Sequence, residues 1–169
     1  YSANATTLLW SSINTGLTDI YVHQVISTGT RLIAATPSGV FDTETSLIAW
    51  TSQNEGLPSE GVNALALLED KLVAGLQTSG LYTSSSVSIS WTERNSSFNN
   101  LKTYALYANG NLIIAATEKG VYVSKNLAGS YTLSTTGLTD SLNVTSLLFR
   151  GSVLYAGTRF EGVFSSADT

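Results

Sequence analysis

One phrase recurs four times along the chain at almost constant spacing: LIAATPSGVF from Leu32, LVAGLQTSGLY from Leu72, IIAATEKGVY from Ile113 and LYAGTRFEGVF from Leu154. The starts are 40, 41 and 41 residues apart. A period in this range marks a repeat architecture, in which each unit buries its faces only against its neighbours. Ten residues before each phrase a second apolar stretch begins: VHQV from Val22, VNAL from Val62, TYAL from Thr103 and VTSL from Val144. An aromatic residue closes each phrase (Phe41, Tyr82, Tyr122, Phe164), and nine residues after the first three stand Trp50, Trp91 and Tyr131. Gly-Leu turns open the units at Gly16, Gly56 and Gly137, with Asn100-Leu101 as a degenerate version.

Each unit predicts four short strands rich in Val, Ile, Leu, Tyr and Thr, separated by Gly, Asn, Ser and Asp turns. In the second unit they fall near Val62–Leu68, Lys71–Leu76, Gly80–Ser84 and Ser88–Glu93. Small pairs in the second strand (Ala34-Ala35, Ala74-Gly75, Ala115-Ala116, Ala156-Gly157) let a neighbouring sheet press close. A lone four-stranded sheet cannot cover both faces, so the units must stack. Residues Thr7–Ser11, TLLWS, match a fourth strand, with Trp10 one repeat before Trp50, while the last residues match only a third strand. The expectation is one all-β domain over residues 1–169, a four-bladed β-propeller with four antiparallel strands per blade. Its repeats cover approximately 13–53, 54–94, 95–134 and 135–169, with 1–12 closing the last blade. A monomer is expected, and a strand-swapped dimer of eight blades is the alternative.

The turn between third and fourth strands resembles the Asp-box, Ser-x-Asp-x-Gly-x-Thr-Trp, at Ser124, Asn126, Ser130 and Tyr131, with Ala128 in the glycine place. Ser84, Ser86, Ser90 and Trp91 keep its spacing, and Ser166 with Asp168 keeps its opening. On these residues the chain is similar to BNR or Asp-box propellers of sialidases, other glycosidases and exported bacterial proteins, and it also resembles regulator-type propeller repeats. The resemblance implies the fold and export. It does not carry the sialidase activity, because that enzyme's arginine cluster has no counterpart among Arg31, Arg94, Arg150 and Arg159.

Charged residues make up only 12% of the chain and Ser and Thr fill 46 positions, which favours a secreted or periplasmic protein. Tyr1 in a chain without Met suggests a processed N-terminus. Eight scattered basic residues and a net charge of -4 argue against nucleic acid as a partner. No apolar run reaches the ~20 residues of a membrane-spanning helix. The absence of cysteine excludes disulfides and thiolate sites, and a single histidine, His23, leaves a triad or a histidine metal site at most one candidate, read first as an ordinary hydrogen-bonded strand residue. The acids Glu69-Asp70 are neighbours in a tight turn rather than a pair facing across a cleft. No catalytic residue, metal or cofactor is therefore expected.

The phase of the repeat singles out one candidate site. If the strands from Val22, Val62, Thr103 and Val144 are innermost, their second residues His23, Asn63, Tyr104 and Thr145 repeat around the axis near one mouth. All four can hydrogen-bond, and their diversity makes the ring asymmetric. Turns carrying Glu118, Lys119, Arg159 and Phe160 should rim the same mouth. The functional expectation is a non-catalytic binding or protein-interaction module taking a small polar ligand, a glycan or a protein loop there. The alternative is a carbohydrate-binding lectin or a fragment of a sialidase-like glycoside hydrolase.

Overall fold

The computed structural model describes residues 10–94, 101–126, 130–138 and 142–167. These fold into four antiparallel sheets in chain order. The first holds β1 (Gln24–Ser27), β2 (Arg31–Thr36), β3 (Gly39–Glu44) and β4 (Leu47–Ser52). The second holds β5 (Val62–Leu68), β6 (Lys71–Leu76), β7 (Leu81–Ser85) and β8 (Thr92–Glu93). The third holds β9 (Thr103–Asn109), β10 (Leu112–Thr117), β11 (Gly120–Ser124) and β12 (Thr132–Ser134). The fourth has three strands among the described residues: β13 (Val144–Arg150), β14 (Val153–Thr158) and β15 (Val163–Ser166). The order within each sheet is sequential, as tight turns between antiparallel neighbours require. The first two strands of the second unit match their predicted bounds. Its fourth strand is shorter than predicted because only Tyr82 and Thr83 hold it.

Alternation along the second strand of each blade sends successive residues to opposite faces, and consecutive blades pack face to face at three junctions. Ile33, Ala35 and Val40 of the first blade meet Leu72, Ala74, Tyr82 and Trp91 of the second. Val73 and Leu81 then meet Ile113, Ala115, Tyr122 and Tyr131 of the third, and Ile114, Ala116 and Val121 meet Leu154 and Ala156 of the fourth. The small residues work as expected at Gly75, where a Cβ would strike the side chain of Thr103 in the next blade. Trp91 is buried between the first and second blades and Trp50 beneath Leu17 on the first, whereas Trp10 is 89% exposed.

The closed four-bladed ring is not what the described residues form. No ladder joins the fourth sheet to the first, and β15 is laddered to β14 alone. The residues equivalent to one another after the third-strand glycine record this directly: Val40 is 0%, Leu81 0% and Val121 5% exposed, but Val163 is 73% exposed. The far face of the first blade is likewise open at Val25, 50% exposed where its counterpart Leu65 is 1%. Of the expected closing strand, residues 7–9 lie outside the described residues, as does Ala128 of the box-like turn. In that turn Ser124 Oγ donates to Asn126 Oδ1 at 3.1 Å, and Asn126 Nδ2 donates to Ser130 Oγ at 3.2 Å.

Burial between the second and third blades pushes the Tyr131 phenol up to about 12, with Arg94 pulling slightly the other way. The unfolded phenol ionises near pH 10. The folded chain therefore keeps its full stability below that pH and loses it as pH rises through 12, by about 1.4 kcal/mol per pH unit between the two values. Urea unfolding at about pH 8 and about pH 11 should show this loss, and Tyr131→Phe should remove it. An equal alkaline loss in the Phe variant would assign the effect elsewhere.

Candidate functional site

The innermost strands β1, β5, β9 and β13 begin at the same end of their blades as the turns between second and third strands. This follows from the antiparallel register, which pairs Val62 with Leu76, Thr103 with Thr117 and Val144 with Thr158. The structure thus brings the four strand positions and the four rim positions to one end of the molecule.

Three of the strand positions use their hydrogen-bonding capacity sideways. His23 Nδ1 lies 2.7 Å from the Val62 carbonyl oxygen, Asn63 Nδ2 donates to Thr103 O at 3.0 Å, and Tyr104 Oη donates to Asn143 Oδ1 at 3.1 Å. Each reaches the start of the next blade's inner strand. Thr145 instead donates to Gly157 O of its own blade at 3.2 Å. The series works as inter-blade staples, leaving the remaining face of His23, Asn63 and Tyr104 partly open to solvent.

The rim divides into two clusters. Around the fourth blade the backbone N–H of Arg159 donates to Asn143 O at 2.9 Å, and the guanidinium lies over the exposed Phe160 ring, 5.5 Å from its centroid. The Lys102 ammonium sits 5.3 Å from the Tyr104 centroid, and the Lys102 N–H makes a long contact to Glu118 Oε1 at 3.4 Å. Lys119 is held by its N–H donating to Thr117 Oγ1 at 3.1 Å. Phe160 and Tyr104 are therefore each faced by a cation, an arrangement in which an aromatic ring also stabilises that charge.

Around the first blade stand residues that the repeat phase did not single out. Tyr21 packs edge-on to His23 at 5.2 Å between centroids. Asp19 is held below the usual carboxylate range first by a hydrogen bond from the Ser38 side chain, then by the Tyr21 N–H, with a smaller contribution from His23. Glu60 plays the corresponding part in the second blade, accepting from the N–H groups of Thr78 at 3.0 Å and Ser79 at 2.9 Å and from the Thr78 hydroxyl. A signal for both existed in the sequence, since an acid follows the Gly-Leu turn in GLTD and GLPSE. Among the described residues no group of three or more His, Cys, Asp or Glu side chains could hold a metal ion, and no helix is long and apolar enough to cross a membrane.

No family model and no curated protein matches this sequence. Similar solved structures are numerous. The computationally designed protein Ika4 superposes with a TM-score of 0.68 at 13% identity, covering 86% of this chain and 89% of its own. The extracellular domain of a one-component system from B. thetaiotaomicron gives 0.75 at 17% identity, covering 93% of this chain and 23% of that one. An ancestral GH74 enzyme gives 0.71 at 20% identity over 96% of this chain and 25% of its own. The chain spans about a quarter of the length of the latter two. These likenesses do not single out the Asp-box type; what the chain shares with all three is a propeller-like, all-β blade architecture.

Proposed function

We propose that this chain is a non-catalytic binding module working outside the cytoplasm, and that its ligand is a polar molecule, a glycan first, held at the end of the blades where the second-to-third-strand turns lie. One observation carries the reading. A frame that is otherwise self-similar gathers its dissimilar polar and aromatic side chains at that end: His23 with Tyr21, Tyr104 with Lys102, and Arg159 with Phe160. Exposed rings beside hydrogen-bonding groups suit the alternating apolar and hydroxyl surfaces of a sugar. The acids there, Asp19 and Glu60, are occupied in bracing turns and His23 Nδ1 faces a carbonyl, which leaves these three groups to structure rather than to acid–base work. Likeness to an extracellular sensor domain supports the location, and likeness to a GH74 enzyme supports glycan as the ligand class.

A glycan array with parallel thermal-shift titration tests this. Binding is expected, with Arg159→Ala and Tyr21→Ala each weakening it about tenfold or more while leaving the melting temperature nearly unchanged. Binding that survives both replacements, an array without a binder, or hydrolysis of a chromogenic glycoside by the unaltered chain would each overturn the reading.

A further inference from the structure

A cavity of about 550 Å³ lies between the third and fourth blades, lined on one side by Val121, Thr132, Ser134 and Thr136 and on the other by Leu154 and Phe164. The junction of the first and second blades holds Trp91 and that of the second and third holds Tyr131, while Trp50 takes the same place on the leading face of the first blade. Trp50 donates its backbone N–H to Thr15 O at 2.8 Å and its indole Nε1–H to Ile13 O at 2.7 Å. Trp91 repeats this with Glu55 O at 2.8 Å and Gln53 O at 2.8 Å. Thr15 and Glu55 each precede the glycine of a Gly-Leu turn, Gly16 and Gly56, at which a Cβ would collide with the carbonyl oxygen of the seated tryptophan. The third turn keeps the same backbone, with φ +85 at Gly137, but a Cβ there meets nothing within 4 Å. Ser134, Thr136 and Gly137 stand where Gln53, Glu55 and Gly56 stand, and all three line the cavity.

We propose that this slot receives Trp10 of a second copy of the chain, so that two copies build one ring of eight blades. Trp10 is the residue one repeat before Trp50, and it projects into solvent from its own molecule. Seated in the slot, its N–H meets Thr136 O and its indole N–H meets Ser134 O. The strand register follows from the three complete blades, where Phe41 pairs with Ser52, Tyr82 with Glu93 and Tyr122 with Leu133. By the same spacing Ser12 of one copy pairs with Phe164 of the other, and Ser11 with Ser165.

Three further observations fit the same occupant. The uncovered face of the fourth blade, with Val163 73% and Leu148 61% exposed, is the face that every other blade turns to its successor. The face of the first blade that every other blade turns to its predecessor is open at Val25, 50% exposed, beside the cluster that Leu17 caps. Each copy therefore presents both halves of an interface that is already built three times within the chain, and a two-fold axis closes the ring. Thr145, whose counterparts staple to the next inner strand, bonds back to its own blade because that next strand belongs to the second copy. The mouth described above is then complete only in the dimer.

Light scattering at micromolar concentration should give twice the 17.9 kDa of one chain. Trp10→Ala should weaken the dimer about a hundredfold or more without lowering the stability of the dissociated chain, since Trp10 makes no buried contact there. Because the chain has no cysteine, Ser11→Cys on one copy and Ser165→Cys on another, co-expressed and oxidised, should yield a covalent dimer on a non-reducing gel. The two replacements on a single chain should also give dimers. A monomeric mass, a disulfide that closes within one chain, or the absence of any disulfide in both arrangements would overturn the proposal.

Discussion

Arg31→Met is expected to destabilise the fold by about 3 kcal/mol, the lower end of the range for leaving a buried charge without its partner. The partner is Asp42, on β3 at the junction of the first and second blades, whose side chain is 1% exposed while that of Arg31 is 27% exposed. Asp42 pairs with the Arg31 guanidinium and accepts hydrogen bonds from Thr51 Oγ1 and Gln53 Nε2, each at 2.9 Å. Methionine keeps most of the arginine's aliphatic stem and removes only the cation, so packing is little changed and the loss reports charge. The two remaining hydrogen bonds moderate the penalty, which sets the lower figure. Adding Asp42→Asn to Arg31→Met should recover most of the loss, because an amide can still accept from Thr51 and Gln53 without a charge to bury. Urea unfolding of the two variants measures both steps. If the single variant costs less than about 1 kcal/mol, the pair is effectively solvated and behaves as a surface salt bridge.

The repeat was legible in the sequence because each position of a blade has one job whichever blade it sits in. Apolar alternation and the glycine before the third strand placed β5 and β6 to the residue, and the period alone placed every layer. What the period could not carry is the state of the ends. Val40, Leu81, Val121 and Val163 occupy the same place in the phrase, yet only the last lies uncovered, because coverage depends on what stands beside the blade and not on the blade itself. For the same reason the four-bladed closure, argued from matching termini, says that the ends are complementary without saying that they meet in one molecule. The placement of the candidate residues was legible, and their bonding was not. His23, Asn63 and Tyr104 fall together as their phase requires, but their polarity serves first to staple neighbouring inner strands. Asn143, which receives Tyr104, is the residue just before the repeated Val144, a place where sequence similarity between the units fades.

Trp91→Ala should cost about 3–5 kcal/mol, the largest effect expected of any single truncation in the described residues. The indole is 4% exposed and lies among Ile33, Val40, Leu72, Ala74 and Tyr82, so its removal opens a cavity bounded by two blades at once. It also strips the Gln53 carbonyl of a donor at 2.8 Å, in a layer that water reaches poorly. Trp91→Phe separates the two contributions, because it keeps most of the ring and loses the N–H; that variant should retain all but roughly 1–2 kcal/mol. Neighbouring blades bury their apolar surface against one another at such junctions, so the Ala variant should also lose cooperativity, with the first blade melting before the rest. Thermal unfolding followed by tryptophan fluorescence and by far-ultraviolet circular dichroism tests this, since the buried Trp50 remains to report on the first blade. Coincident transitions in the Ala variant, or a loss below about 2 kcal/mol, would mean that the junction closes up around the missing ring and that the slot is plastic rather than shaped.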